Sequence, residues 1–179
     1  MKQPDARSTQ PSPSQGPPRG PARIRKRAEG GHRGAPSRSI TAQMDSLPLA
    51  TEHVRNVFLK LESGDPESFF ENVADDVDWT VLGTHPLAGR YRSKEGFLRN
   101  TFARIGRALR EPPRLTVRNV LVDGSCAAVE LRMERVARTG MEFNNDYCWI
   151  VRFCDGKIVE ARAYLDSALV QRLVDENHV

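Results

Sequence analysis

Residues 130–169, ELRMERVARTGMEFNNDYCWIVRFCDGKIVEARAYLDSAL, read as two tight hairpins that run into a helix. Thr139-Gly140 makes the first turn and Asp155-Gly156 sits in the second, each with a glycine able to take positive φ. Three strands follow, over about 126–138, 142–153 and 157–164. Asp166 then supplies an N-cap, and Leu169, Val170, Leu173 and Val174 recur on one face of a short helix. Hairpin turns set register, and register decides which side chains share a face.

With Thr139-Gly140 as a two-residue turn, Arg138 pairs with Met141. Glu134, Arg132 and Glu130 then lie opposite Asn145, Tyr147 and Trp149, and all six share a face. The other face carries Val129, Leu131, Met133, Asp146, Cys148 and Ile150. The second hairpin leaves two registers open. A two-residue Asp155-Gly156 turn sets Arg162 beside Trp149, and a three-residue turn from Cys154 sets Ala161 and Ala163 there.

Upstream, Ala50, Val54, Val57, Phe58 and Leu61 recur at helical spacing over about 48–62. Ser63-Gly64-Asp65-Pro66 ends that helix and caps a short second one carrying Phe69, Phe70 and Val73, with Asp75 and Asp76 at its end. Val77, Trp79 and Val81 alternate with polar residues as a strand does. A Gly/Pro loop containing His85 follows, then a helix opening at Ser93 that turns Leu98, Phe102, Ile105 and Leu109 inward. Leu115, Val117 and Leu121 suggest one more strand. Helices first and consecutive hairpins later predict an α+β fold with a mostly antiparallel sheet.

Composition divides the chain. Residues 1–43 hold 7 of the 12 prolines and no aromatic residue, with nine Lys/Arg against two Asp/Glu, a net +7. The remaining 44–179 carries 18 basic and 21 acidic residues, a net −3. The tail therefore accounts for the basic balance, and it is too polar to offset its chain entropy by burial, so disorder is expected there. The cluster Arg23-Ile24-Arg25-Lys26-Arg27 raises contact with nucleic acid or an anionic surface. Without aromatics to stack on bases, a solvated arm is the better reading, and Met44 is a candidate true start. No apolar run reaches the length of a membrane span or signal peptide, and the three cysteines lack metal-site or disulfide spacing. A cytoplasmic protein without membrane contact is expected. No Gly-rich phosphate loop, Ser-His-Asp set or metal-ligand cluster is evident, so no cofactor or metal is expected.

Leu61-Glu62-Ser63-Gly64-Asp65, Val73-Ala74-Asp75-Asp76-Val77, Pro86-Leu87-Ala88-Gly89, Asp155-Gly156-Lys157-Ile158 and Arg162-Ala163-Tyr164-Leu165-Asp166 together resemble the SnoaL-like, ketosteroid-isomerase-related branch of the nuclear-transport-factor-2-like superfamily. The resemblance implies a curved sheet wrapped around the N-terminal helices to form a cone with one apolar pocket. It also favours the three-residue second turn, and it implies relatives that include isomerases, polyketide cyclases and epoxide hydrolases. The ketosteroid isomerases' tyrosine and two aspartates would fall at Val57, Val81 and Trp149. The epoxide hydrolases' Asp-Arg-Asp set would fall at Ala163, Glu130 and Arg132. Only a Glu-x-Arg pair survives, so neither mechanism carries over intact.

Pattern alone puts the Glu130/Arg132/Glu134 face in water. The aromatics Tyr147 and Trp149 on that face, and the resemblance, turn it toward the cone interior. The expected wall is Trp79, Val81, Trp149, Ala161, Ala163 and Leu165, with Asn145 polar and His85 at the mouth. Glu130, Arg132 and Tyr147 are the candidate catalytic residues: a carboxylate tuned between desolvation and a guanidinium, and a phenol able to donate to an oxyanion. The expected ligand is small, mostly apolar, and polycyclic or carbonyl-bearing, with isomerase, cyclase or hydrolase chemistry. The competing reading is a non-catalytic module with a vestigial pocket. A homodimer through the outer sheet face is expected in either case, since Val129, Leu131, Cys148 and Ile150 would otherwise form an exposed apolar patch.

Overall fold

The computed structural model describes residues 49–179, so the expectations for 1–43 and Met44 lie outside the described residues. Helix α1 (Thr51–Glu62) buries Val54, Val57, Phe58 and Leu61 and stops where Gly64 turns to φ +81°. The Asp65 carboxylate accepts the Ser68 amide, with Pro66 in the first turn, and opens α2 (Pro66–Phe70). Strand β1 (Val73–Val81) begins directly afterwards. Val73, Asp75 and Asp76 therefore belong to a strand and not to the end of a helix. The deciding contact is long-range, because Val73 pairs with Ile158.

β2 (Gly89–Tyr91) folds back on β1. Ser93 caps α3 (Lys94–Phe97), which widens into a π turn at Leu98–Phe102 and continues as α4 (Ala103–Ala108). β3 (Thr116–Asp123), β4 (Cys126–Val136), β5 (Glu142–Cys154) and β6 (Lys157–Leu165) complete the sheet, and α5 (Ser167–Asn177) follows its Asp166 cap. The strand order is β2-β1-β6-β5-β4-β3, antiparallel except for the β1–β6 pair. The architecture is α+β, a curved sheet closed as a cone around the helices. Its core joins Phe58 to Phe69 and Trp149 in edge contacts at 5.1 and 6.0 Å, with Phe69 tilted on Trp149 at 6.1 Å. Each such buried side chain contributes roughly 1.5–3 kcal/mol.

The first hairpin differs from the sequence reading by one residue, and the second takes the shorter of its two open turns, against the one the resemblance favours. In the first, the Ala137 amide donates to the Met141 carbonyl, leaving a three-residue loop with Gly140 at φ +96°. The loop is held to the end of α4, where the Arg138 amide donates to the Ala108 carbonyl and the Arg138 side chain to the Arg107 carbonyl. Those carbonyls would otherwise lack donors at a helix terminus. In the second, Asp155 (φ 49°) and Gly156 (φ 76°) form a two-residue turn that pairs Cys154 with Lys157. A bulge at Val159 then shifts the register, so Trp149 pairs with Ala163 after all.

Candidate functional site

The one-residue shift in the first hairpin separates residues expected to share a face. Tyr147 pairs with Leu131, Trp149 with Val129 and Asn145 with Met133, and all six point into the cone. Arg132 pairs with Asp146 and Glu130 with Cys148 on the outer face. There Arg132 donates to Asp146 at 2.6 Å and to Glu134 at 3.2 Å, while Glu130 is exposed. The placement of Glu130 and Arg132 in the pocket is thus corrected, and so is that of Val129 and Leu131 outside. Slipping a strand pair by one residue inverts every side chain.

The cone encloses an apolar cavity between the sheet, the π turn and α5. Val81, Tyr147, Trp149, Ala163, Leu165 and His85 line it, all six from the sequence expectation. Trp79 and Ala161 are fully buried behind the lining, and Trp79 stacks on Phe97 at 4.1 Å. Asn145 is buried and occupied: its Oδ1 accepts the Asp166 amide and its Nδ2 faces the Asp166 carbonyl at 3.4 Å. It clamps the β6–α5 corner. The free space inside is about 40 Å³, room for roughly three waters.

Three side-chain polar atoms on this lining have no hydrogen-bond partner among the described residues: His85 Nε2, Tyr147 Oη and Trp149 Nε1. Burial pushes the Tyr147 phenol well above its usual range, so it stays protonated. His85 is 4% exposed, and its Nδ1 accepts the Leu87 amide at 3.2 Å. A neutral ring in that arrangement carries its proton on Nε2. Burial lowers the His85 pKa, and the Leu82 carbonyl, near the ring but outside hydrogen-bond geometry, opposes it. Gly83 lets the loop approach α5: at φ +123°, an added Cβ would lie 1.9 Å from Ser167 Oγ and 3.0 Å from His85. The lining residues therefore carry three neutral donors buried almost flush with an apolar wall, and among the described residues no charged side chain lines the cavity.

Phe97 and Thr101 also line the cavity and were not read from the sequence. An unbroken helical period puts Leu98, Phe102 and Ile105 inward. The π turn, in which the Thr101 hydroxyl donates to the Phe97 carbonyl at 2.6 Å, rotates Phe97 and Thr101 into the core. Nothing in a periodicity count marks such a turn.

The SnoaL-like domain family matches residues 54–161 of this chain. The chain belongs to the SnoaL-like family. The match runs from α1 to β6 and so includes the sheet side of the cavity. Similar proteins include the dimerizing cyclase phiC of a fungal species, 24% identical over 138 residues, covering 75% of this chain. This SnoaL-like chain spans 59% of that relative's length. An NTF2-like protein from Burkholderia thailandensis shares the fold at a TM-score of 0.61 and 25% identity, covering 70% of this chain and 98% of that one. A candidate SnoaL-like polyketide cyclase from Jannaschia sp. CCS1 superimposes with a TM-score of 0.57 at 16% identity, covering 73% and 96%. Among the described residues, no helix is long and apolar enough to cross a membrane.

Proposed function

We propose that this SnoaL-like chain binds a small, mostly apolar, carbonyl-bearing molecule in its cone. The observation that carries the reading is the set of unpartnered donors on one apolar lining: His85 Nε2, Tyr147 Oη and Trp149 Nε1. A buried polar group without a partner is costly, and a ligand acceptor relieves the cost. An accepting oxygen, of which a carbonyl is the simplest in an apolar molecule, suits neutral donors with no counter-charge beside them. Donors held in a dry site also stabilise charge that develops on that oxygen. The cyclase names among the similar proteins point toward an enolate-type step, in which these donors would hold the oxygen but the α-proton needs a base, and among the described residues no carboxylate lines the cavity to take it. Hydrolysis lacks the same group, since it would need that carboxylate to activate water.

The small free space and the missing carboxylate favour a second reading, a non-catalytic module with a vestigial pocket. Titration with 2-pentanone separates the two, since a bound carbonyl beside Trp149 quenches its emission. Saturable quenching that weakens roughly threefold to tenfold in Tyr147→Phe supports a ligand site, the loss being that of one neutral hydrogen bond. Non-saturating quenching, identical in both proteins, supports the vestigial pocket.

We also propose that a second copy covers the outer sheet face. Leu121 is 61% and Tyr164 43% exposed there, with Ile150 and Ala128 partly exposed between them. Contiguous apolar surface of this kind marks association sites.

A further inference from the structure

The cavity is too small for most molecules that its donors would recognise. About 40 Å³ holds a carbonyl and the few atoms around it, not a ring system. On the other side of its wall lies a much larger space. An open groove of about 620 Å³ runs between α2 and the π turn with α4, floored by Phe70, Leu98, Phe102, Ala103 and Gly106. Two residues, Phe102 and Pro113, line both spaces. Phe102 is the last residue of the π turn, and it is half-buried, with edge contacts to Phe70 at 5.4 Å and tilted packing on Phe97 at 6.3 Å. A π turn interrupts the regular hydrogen-bond ladder of a helix and recurs at functional sites. The charged rim of the groove includes the Arg99–Glu95 pair at 3.5 Å, so that guanidinium already has a carboxylate partner.

We infer that the cavity and the groove are two halves of one binding site for an elongated ligand, with a carbonyl head inside the cone and an apolar tail along the groove, passing between Phe102 and Pro113. The inference rests on the carbonyl-binding reading of the cone and adds the shape and polarity of the ligand. A head of a few atoms fits the free space without displacing the core. The tail has apolar floor to cover outside it. Phe102 turns aside to join the two spaces, and Pro113, its ring fixed to the backbone, forms the stationary edge.

The test is a series of straight-chain methyl ketones, 2-pentanone to 2-undecanone, titrated against the full chain by tryptophan emission. Each methylene laid in the groove raises affinity by up to roughly fourfold. Ala103 is exposed on α4 and faces the groove but not the cavity. Ala103→Phe fills the groove and Ala103→Arg puts a charge in the path of the tail, and neither adds a tryptophan. In both variants, checked for an unchanged thermal midpoint, the affinity ratio of long to short ketone should collapse. A flat series in the wild type overturns the inference, as does a chain-length gain that survives in both variants. If 2-pentanone binds saturably through Tyr147 while the series is flat, only the groove assignment falls. If no ketone binds saturably, the cone reading falls with it.

Discussion

At the scale of single residues, the chemistry of this chain lies in what is buried without a partner. Tyr147 and Trp149 stand on alternate positions of β5, so both face the cone, and His85 reaches the same cavity from a loop held by Gly83. His85 also reports on its environment through pH. Its folded pKa lies below the ordinary 6.5, so the unfolded chain takes up a proton before the folded one does. Its contribution to stability is therefore complete above about pH 6.5 and is lost as pH falls toward the folded value. His85→Gln should flatten that part of the profile. Unfolding midpoints measured between about pH 7.5 and 5 check it, and equal slopes in the two proteins would show that the ring is not held in a neutral, desolvated state.

At the scale of elements, one buried amide ties two of them together. Asn145 joins β5 to the start of α5 through the Asp166 backbone, so Asn145→Ala removes the acceptor of the Asp166 amide, while the Asp166 carbonyl still accepts from the Val170 amide. The expected loss is about 1 kcal/mol, that of one part-buried hydrogen bond, read from denaturant unfolding. A loss under about 0.5 kcal/mol would return Asn145 to the list of ligand contacts. The elements themselves were legible in local signals: the Asp65, Ser93 and Asp166 caps, the glycine turns and the alternation in β1. The register was not. Whether Thr139-Gly140 closes a two- or three-residue loop depends on Arg138 meeting the end of α4, which lies far away in sequence. That single residue moved Glu130 and Arg132 from the expected site to the outer face and left Tyr147 and Trp149 inside. In the second hairpin the turn length and the bulge at Val159 offset each other, so Ala161 and Ala163 reached the interior by a route that the turn alone does not specify. The polarity of the Glu130, Arg132 and Glu134 side chains was the more faithful guide.

At the scale of the whole molecule, one curved sheet has two unlike faces: the concave one lines a cavity, and the convex one exposes Leu121 and Tyr164, with Ile150 partly exposed. If a second copy covers that convex face, Ile150→Asp should shift sedimentation from dimer to monomer while the fold persists, since Ile150 lies outside the core. A wild-type monomer at high concentration would contradict the dimer. The central claim concerns the concave face, and the infrared carbonyl stretch of bound, isotope-labelled 2-pentanone tests it most directly. Donation from Tyr147 and its neighbours predicts a band shifted to lower frequency than in water, moving back toward the apolar-solvent value in Tyr147→Phe. A band at the apolar-solvent position in the wild type, unmoved by the substitution, would contradict it.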